Sequence, residues 1–188
     1  MTKFNRKDYI YTPLFCEENI WKLVESLYMS QLAKPIDVLF IINKAHTVAI
    51  LNQNQSINTN PVIWDYHVIL LAHTNNELVI FDFDSRCEFP TPVEIYFKLS
   101  FPSIININDK LLPYIKKIKA QYYFEHFYSD RAHMNGIISK KEFPAYEIIQ
   151  PEKSIEKLPL TQCRDILLTG DYSEIKSPDD YLESILLN

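Results

Sequence analysis

Apolar residues recur at helical spacing near the start of the chain. Within residues 16–29 they follow a 3.6-residue period, which predicts an amphipathic helix. The apolar face consists of Ile20, Leu23, Val24 and Leu27. Glu17 and Glu18 place negative charge in the first turn, where it suits the helix dipole. The pattern therefore predicts that Cys16 lies at the N-terminus of this helix.

The following segments have the composition of strands. Residues 37–43 and 47–53 are rich in β-branched and large apolar side chains, which predicts two strands. Residues 62–73 and 77–84 flank the polar turn 74–76, whose asparagines tolerate positive φ. This arrangement predicts an antiparallel hairpin.

Other segments have weaker patterns. Residues 52–60 show no apolar period and are predicted to form an exposed, mobile loop. Residues 91–112 are interrupted by prolines and stay ambiguous, and residues 114–120 suit a strand or a helix. Residues 171–188 predict a loop followed by a closing helix. One N-terminal helix followed by a mostly antiparallel sheet predicts an α+β fold, and we expect a single domain over residues 1–188.

Composition and charge narrow the classes of partner. The chain has 188 residues, a net charge of -5 and a pI near 5.5, which argues against nucleic-acid binding. The basic segment KKIK, residues 116–119, is predicted to be a solvated edge. The chain has no apolar run of the roughly 18 residues that a membrane span needs, and its polar N-terminus lacks the core of a secretory signal. We expect a cytoplasmic protein, in the cytosol and also the nucleus, that needs no membrane and acts as a monomer.

Glycine, cysteine and histidine usage exclude several kinds of site. With only Gly136 and Gly170, the chain cannot form glycine-rich phosphate loops or the GxSxG elbow of serine hydrolases. Three widely spaced cysteines indicate reduced thiols, with structural roles for Cys87 and Cys163. The histidines form no HExxH or related ligand spacing, so we expect no metal site.

The segment VIWDYHVIL interrupts an apolar strand with an acid and an imidazole. Because strand side chains alternate between faces, Asp65 and His67 are predicted to share one face. Trp64 and Tyr66 are predicted to face the other way, into the core. One face of this strand would therefore present groups able to carry chemistry.

The hairpin brings a second carboxylate beside this imidazole. Either Asp82 or Asp84 lies across from His67, depending on the register, and the pattern does not choose between them. Such a carboxylate orients the imidazole and stabilises its protonated form. Cys16 is the best-placed nucleophile, because amides at a helix N-terminus and a protonated imidazole lower a thiol pKa. The same amides could form an oxyanion hole.

The same residues also have an ordinary structural interpretation. A lone Cys16 is compatible with an inert apolar side chain, and His67 with a hydrogen-bonded core histidine. Asp82 or Asp84 could be a strand-end charge in water. On the residues alone, both interpretations stay open.

Three longer motifs favour the catalytic interpretation. CEENIWKL (16–23), WDYHV (64–68) and SDRAHM (129–134) closely resemble motifs of the eukaryotic protein N-terminal glutamine amidohydrolase family, in the family's order. The similarity runs from about residue 11 to residue 146. The resemblance implies a papain-like or transglutaminase-like core. The chain departs from the family pattern after residue 146 and in the loop 52–60.

The resemblance also implies the chemistry. By motif, Cys16, His67 and Asp82 form the catalytic triad, which would place Asp82 across from His67 in the hairpin. The implied substrate is the N-terminal segment of a protein or peptide that begins with glutamine, which is deamidated to glutamate with release of ammonia. No cofactor is implied. The implied biological role is to expose a glutamate for arginylation in the N-degron pathway.

An enzyme that selects a chain terminus must bind a free α-ammonium, for which carboxylates are the natural partners. The candidates are Asp65, Glu17 and Glu18. Equally, these acids could cap backbone groups or support the helix. In SDRAHM we expect an Asp130–Arg131 ion pair and a His133 bonded to backbone, and a substrate role stays open.

Two other functions fit the same residues. A cysteine deamidase could act on an internal glutamine of a specific partner protein, which would require a protein-binding surface around the cleft. A non-enzymatic module could hold a terminal glutamine without turnover, although a complete set of Cys16, His67 and Asp82 argues against it. Short peptides distinguish these functions, because only a terminal-glutamine enzyme should process them.

Overall fold

The computed structural model describes residues 4–75, 77–101 and 108–187, and most of its strands form one sheet. The strands in chain order are β1 (Lys34–Ile42), β2 (Val48–Ile50), β3 (Val62–Trp64), β4 (His67–His73), β5 (Leu78–Phe81), β6 (Thr91–Pro92), β7 (Tyr114–Lys119), β8 (Phe127–Tyr128), β9 (Leu158–Pro159) and β10 (Ser173–Lys176). Six of them lie side by side in the order β10-β7-β1-β4-β5-β6, and each neighbouring pair is antiparallel. Strands β2 and β3 form a separate antiparallel pair, and β8 and β9 a parallel one. The predicted α+β class with a mostly antiparallel sheet is confirmed.

Helices cover both faces of the central sheet. They are α1 (Cys16–Ser30), α2 (Val93–Ser100), α3 (Ala120–His126), α4 (Leu160–Arg164) and α5 (Pro178–Leu186). The apolar face of α1 packs with alternate residues of β1, such as Val38 and Phe40. The residues between them, Leu39 and Ile41, pack with α2 and α5 on the other face. Because the second half of β1 is buried on both faces, residues 38–42 form a continuous apolar run without polar alternation. No helix within the described ranges has both the length and the apolar character for crossing a membrane.

The predicted hairpin is present and has one of the two registers that the pattern left open, but the register that the family resemblance implies is wrong. Leu70 pairs with Phe81, which is two residues away from the register that would place Asp82 across from His67. Strand β5 ends at Phe81, so Asp82 lies beyond the hydrogen-bonded ladder. Its side chain position is therefore set by the loop after the strand and not by strand pairing.

The C-terminal half differs from prediction at two places. The segment 171–188 contains the predicted closing helix α5, but β10 precedes it and pairs with β7. KKIK is not a solvated edge, because Lys116 is fully buried. Its Nζ donates hydrogen bonds of 2.8, 2.8 and 2.6 Å to three backbone carbonyls, those of Gln162, Asp165 and Leu168. An ammonium has three donors, so these carbonyls satisfy it completely and tie α4 to the sheet.

Candidate active site

The chain fixes Cys16 at the N-terminus of α1, as predicted. Buried Phe15 is the residue before the first helical turn, and no side chain caps that turn. From within the helix, the Asn19 side chain clamps Thr12: its Oδ1 accepts from the Thr12 amide and its Nδ2 donates to the Thr12 carbonyl, both at 2.8 Å. The loop that leads into the helix is therefore held in place, and so is the position of Cys16.

The Cys16 thiol lies against the start of strand β4. It is close enough to the Val68 amide, one residue after His67, for a hydrogen bond that lowers the thiol pKa. Burial nevertheless raises the pKa of Cys16 well above 9.0, and the negative charges of Glu17 and Asp84 raise it further. The expected lowering of this pKa is therefore wrong for the free protein. A base must take the thiol proton before the sulfur can act as a nucleophile.

The residue before Val68 carries a buried imidazole, which pairs with a buried carboxylate. The Nε2 atom of His67 is 2.8 Å from Oδ1 of Asp82. Because a carboxylate only accepts hydrogen bonds, this contact places a proton on Nε2. The other ring nitrogen, Nδ1, is buried and has no hydrogen-bond partner within the described residues. It is therefore available as a base.

Three donors hold the carboxylate of Asp82, two from other segments and one from its own loop. Its Oδ2 accepts from the Tyr96 hydroxyl at 2.8 Å and from Nε2 of Gln53 at 3.2 Å. Its Oδ1 accepts from the Asp84 amide at 2.9 Å. Burial alone would raise the pKa of Asp82, but the charge of His67 and these donors outweigh burial and lower it below 3.8.

The same ion pair controls the imidazole. Burial lowers the pKa of His67, but attraction to the Asp82 carboxylate and the hydrogen bond to it outweigh this effect and raise the pKa above 6.5. The strongly held carboxylate thus fixes the imidazole's orientation and stabilises its protonated form.

Strand alternation fails at the two residues before β4. The prediction that Asp65 shares a face with His67 is therefore wrong, and so is the prediction that Trp64 and Tyr66 share the other face. Asp65 and Tyr66 form an irregular link between β3 and β4. As a result Trp64 stacks on the His67 ring, with centroids 5.3 Å apart and planes 17° apart. The Tyr66 hydroxyl donates a 2.8 Å hydrogen bond to Oε2 of Glu17. Tyr66 is buried in the core and Trp64 packs against it, as predicted, and both side chains also contact residues of the site.

Two of the three candidate carboxylates already have cationic partners. Glu18 is fully buried and accepts hydrogen bonds from Nε of Arg131 at 2.9 Å and from its second guanidinium nitrogen at 2.8 Å. Ser129 adds a third bond of 2.8 Å. Asp65 is exposed and pairs with Arg164 at 3.1 Å. Neither acid presents an unpaired charge to a ligand.

Glu17 is different, because half of its carboxylate is unpartnered. The side chain is fully buried, and its Oε1 has no hydrogen-bond partner in the described part of the chain. The nearest cation-forming atom is Nε2 of His133, at 3.5 Å. Burial raises the pKa of Glu17 from 4.5 to about 7. A buried acid with a free oxygen beside the thiol has the charge and the acceptor atom that binding a cationic ligand would require.

The interpretation of SDRAHM also changes. Arg131 pairs with Glu18 and not with Asp130, which instead accepts a 2.9 Å hydrogen bond from the Ala132 amide. His133 turns its Nε2 toward Glu17 and not toward a backbone group. The expected Asp130–Arg131 pair and backbone-bonded His133 are therefore wrong.

A family model described as N-terminal glutamine amidase matches residues 11–166. The chain belongs to this family. Proteins named protein N-terminal glutamine amidohydrolase are 32% identical in Danio rerio, 35% in Bos taurus and 34% in Homo sapiens. The matches cover 93%, 66% and 66% of this chain and 88%, 62% and 62% of those relatives. The resemblance inferred from the sequence motifs is confirmed, but the family match continues past residue 146, where we expected it to end.

The site of this N-terminal glutamine amidase family member includes a loop that was predicted to be exposed and mobile. Within residues 52–60, Gln53 is fully buried against Asp82. The Asn54 amide donates to the Asp84 carbonyl at 2.7 Å, and the Arg86 amide donates to the Asn52 carbonyl at 2.8 Å. Most of the loop is exposed, as predicted, but Gln53 is buried, and two backbone hydrogen bonds join the loop to the segment after β5.

A spatial cluster of possible metal ligands escaped the search for sequence spacing. Ligand atoms of His67, Asp82 and Asp84 lie within 4.8 Å of one another, and all three residues are buried. Within the protein, however, His67 and Asp82 already bond to each other, and Oδ1 of Asp84 accepts a 2.6 Å hydrogen bond from Tyr11. Hydrogen bonds within the chain therefore account for this cluster.

Proposed function

We propose that this protein is an amidohydrolase that converts an N-terminal glutamine of a protein or peptide to glutamate and releases ammonia. The catalytic residues are Cys16, His67 and Asp82. The observation that carries the proposal is a thiol that lies against the strand bearing a buried, carboxylate-oriented imidazole, in a chain of the N-terminal glutamine amidase family. The names of the relatives support the substrate.

The proposed reaction has two halves. In the first, Nδ1 of His67 takes the thiol proton while the Cys16 sulfur attacks the δ-carbon of the glutamine side chain. The tetrahedral intermediate then breaks its C–N bond, His67 returns the proton to the leaving nitrogen, and ammonia departs from a thioester. In the second, His67 takes a proton from a water molecule as the water oxygen attacks the thioester carbon. The C–S bond then breaks, His67 returns the proton to the sulfur, and glutamate and the free thiol result.

Two features support these steps. The hydrogen bonds to Asp82 keep its carboxylate ionised, so it stabilises the imidazolium that forms during each half-reaction. The first turn of α1 has no side-chain cap, so its amides can stabilise the negative oxygen of the tetrahedral intermediate.

Selection of a chain terminus is assigned to Glu17. Glu18 and Asp65 were equal candidates on sequence, but both are paired with arginines, whereas Oε1 of Glu17 is buried and free within the described residues. The α-ammonium of the substrate would supply the missing donor. A charge-assisted hydrogen bond of this kind contributes about 1.5–3 kcal/mol, or roughly ten- to a hundredfold discrimination against a blocked terminus.

The remaining parts of the proposal rest on family membership. A helix with cysteine at its N-terminus, packed on an antiparallel sheet that carries histidine and aspartate, supports a papain-like or transglutaminase-like core. We propose the same cytosolic and nuclear role that the sequence motifs imply, which is to generate N-terminal glutamate for arginylation, by a monomer without a cofactor.

Ammonia release from short peptides tests the function. The peptides are one that begins with glutamine, its N-acetylated form, and one with an internal glutamine. We expect release from the free-terminus peptide alone and none from the Cys16→Ala protein. Release from none of the three peptides by folded protein would favour a partner-specific deamidase of internal glutamine or a non-catalytic binder. Release from all three would exclude selection of the terminus.

A further inference from the structure

We propose that His133 is a substrate-binding residue: its Nε2 and Oε1 of Glu17 together accept hydrogen bonds from the α-ammonium of the substrate. This inference rests on the proposed function. It adds a second recognition group for the free terminus, contributed by a segment far along the chain from the cysteine helix.

The geometry shows two atoms that lack hydrogen-bond donors. Nε2 of His133 and Oε1 of Glu17 are both buried, lie 3.5 Å apart and have no partner in the described residues. Buried polar atoms in proteins are almost always paired, so two adjacent orphans indicate a missing ligand. An ammonium carries three donors and no acceptor, and one nitrogen at about 2.9 Å from each atom would satisfy both.

The surroundings leave this side of Glu17 as the position for a ligand. Oε2 of Glu17 is occupied by the Tyr66 hydroxyl at 2.8 Å. The Glu17 side chain is 0% exposed, whereas that of His133 is 19% exposed. The imidazole therefore lies at the border between solvent and the buried carboxylate. The Phe15 ring packs against the imidazole in an edge-to-face arrangement, with the two centroids 6.3 Å apart.

Burial and the charge of Arg164 favour a neutral imidazole at His133, which is the form able to accept. Burial lowers its pKa below 6.5, and the positive charge of Arg164 on α4 lowers it further. Asp65 before β4, Glu18 on α1 and Asp130 on the same loop oppose this effect without reversing it.

Glu17 sets the lower pH limit of this arrangement. Burial, and to a smaller extent the charge of Glu18, raise the pKa of Glu17 to about 7, against the opposing hydrogen bonds from its own backbone amide, from Tyr66 and from Cys16. Above pH 7 the pair consists of an ionised carboxylate and a neutral imidazole, both acceptors. Below it, a proton shared between Glu17 and His133 competes with the substrate's ammonium, so binding should weaken as the pH falls.

The test pairs His133→Ala with two substrates. One is a short peptide that begins with glutamine, and the other is the same peptide without the α-amino group, so that a 4-carbamoylbutanoyl group replaces the glutamine. Ammonia release gives kcat/KM for both at pH 8, with enough enzyme to measure slow turnover. His73→Ala, at an exposed histidine at the end of β4, is the matched control.

We expect His133→Ala to lower kcat/KM roughly tenfold for the glutamine peptide, mainly through KM, and to leave the des-amino peptide unchanged. His133→Gln, whose amide oxygen can accept, should recover part of the loss. Equal losses for both substrates, or no loss for either, would overturn the inference. If the wild-type protein releases no ammonia from the glutamine peptide, the proposed function itself fails, which is a distinguishable result.

Discussion

Substitution of Glu18 by glutamine should strongly destabilise the protein, because it leaves a buried guanidinium without its counter-charge. Arg131 contacts the Glu18 carboxylate through two nitrogens, at 2.9 and 2.8 Å, and is only 8% exposed. Removing one partner of such a buried pair costs about 3–5 kcal/mol, because the remaining charge is uncompensated. The pair joins α1 to the loop that carries His133, so the loss should also loosen the site.

Thermal and urea unfolding measure this effect. For a chain of this size, a loss of about 3–5 kcal/mol corresponds to a fall in Tm of roughly 6–20 °C. The matched control is Glu25→Gln, which breaks the Lys22–Glu25 pair on the same helix, with side chains 17% and 35% exposed. A partly exposed pair on a helix surface contributes about 0.2–1 kcal/mol, so the control should change Tm by a few degrees at most.

The comparison has a clear contrary result. If Glu18→Gln and Glu25→Gln destabilise the protein equally, burial of the Arg131 pair is not the source of its strength. A double variant, Glu18→Gln with Arg131→Met, should lose much less than the sum of the two single variants, because it removes the uncompensated charge. Strict additivity would also refute the reasoning.

Two further variants test the electrostatics of the site. Tyr96→Phe removes a 2.8 Å hydrogen bond to Asp82, so kcat for the glutamine peptide should fall about tenfold or more with little change in KM. The control Tyr114→Phe, at an exposed tyrosine, should match wild type. Equal kcat values for the two variants would contradict the role of this bond. Burial raises the pKa of Glu17 from 4.5 to about 7, so ionisation of this carboxyl opposes folding. The resulting destabilisation is present in full above pH 7 and absent below pH 4.5. Urea unfolding should therefore find Glu17→Gln more stable than wild type by on the order of 3 kcal/mol at pH 8, and this difference in unfolding free energy should shrink toward pH 4.5. The variant should also lose hydrolysis of terminal glutamine. A stability difference that does not change with pH would contradict this explanation.

Periodic segments were predictable from sequence because local pattern and tertiary packing agree there. Helix α1 begins at Cys16 as its apolar period and acidic first turn indicate, and the hairpin of β4 and β5 forms around its polar turn. The register could not be predicted. The register depends on where β5 leaves the hydrogen-bonded ladder. The implied and observed registers differ by two residues, so both bury the same face of the strand, and the apolar pattern cannot choose between them.

The groups that support the site were not predictable, because their partners are distant in sequence. Arg131 lies 113 residues from Glu18, and Gln53 lies 29 residues from Asp82 in a loop whose composition suggests solvent exposure. The sequence around Lys116 suggests a surface charge, but in the structure its ammonium is buried and bonds to three backbone carbonyls. The catalytic roles came from the family motifs, and they stay predictions, as do the single domain, the compartment and the monomeric state.

The most direct test of the central claim is the intact mass of the protein after rapid acid quenching with a peptide that begins with glutamine. If the Cys16 sulfur attacks the side-chain amide, a fraction of the wild-type protein should gain the mass of the peptide less that of ammonia, and the adduct should map to Cys16. The N-acetylated peptide should give no adduct, and neither should the Cys16→Ala protein. Ammonia release by the Cys16→Ala protein at the wild-type rate would contradict the account.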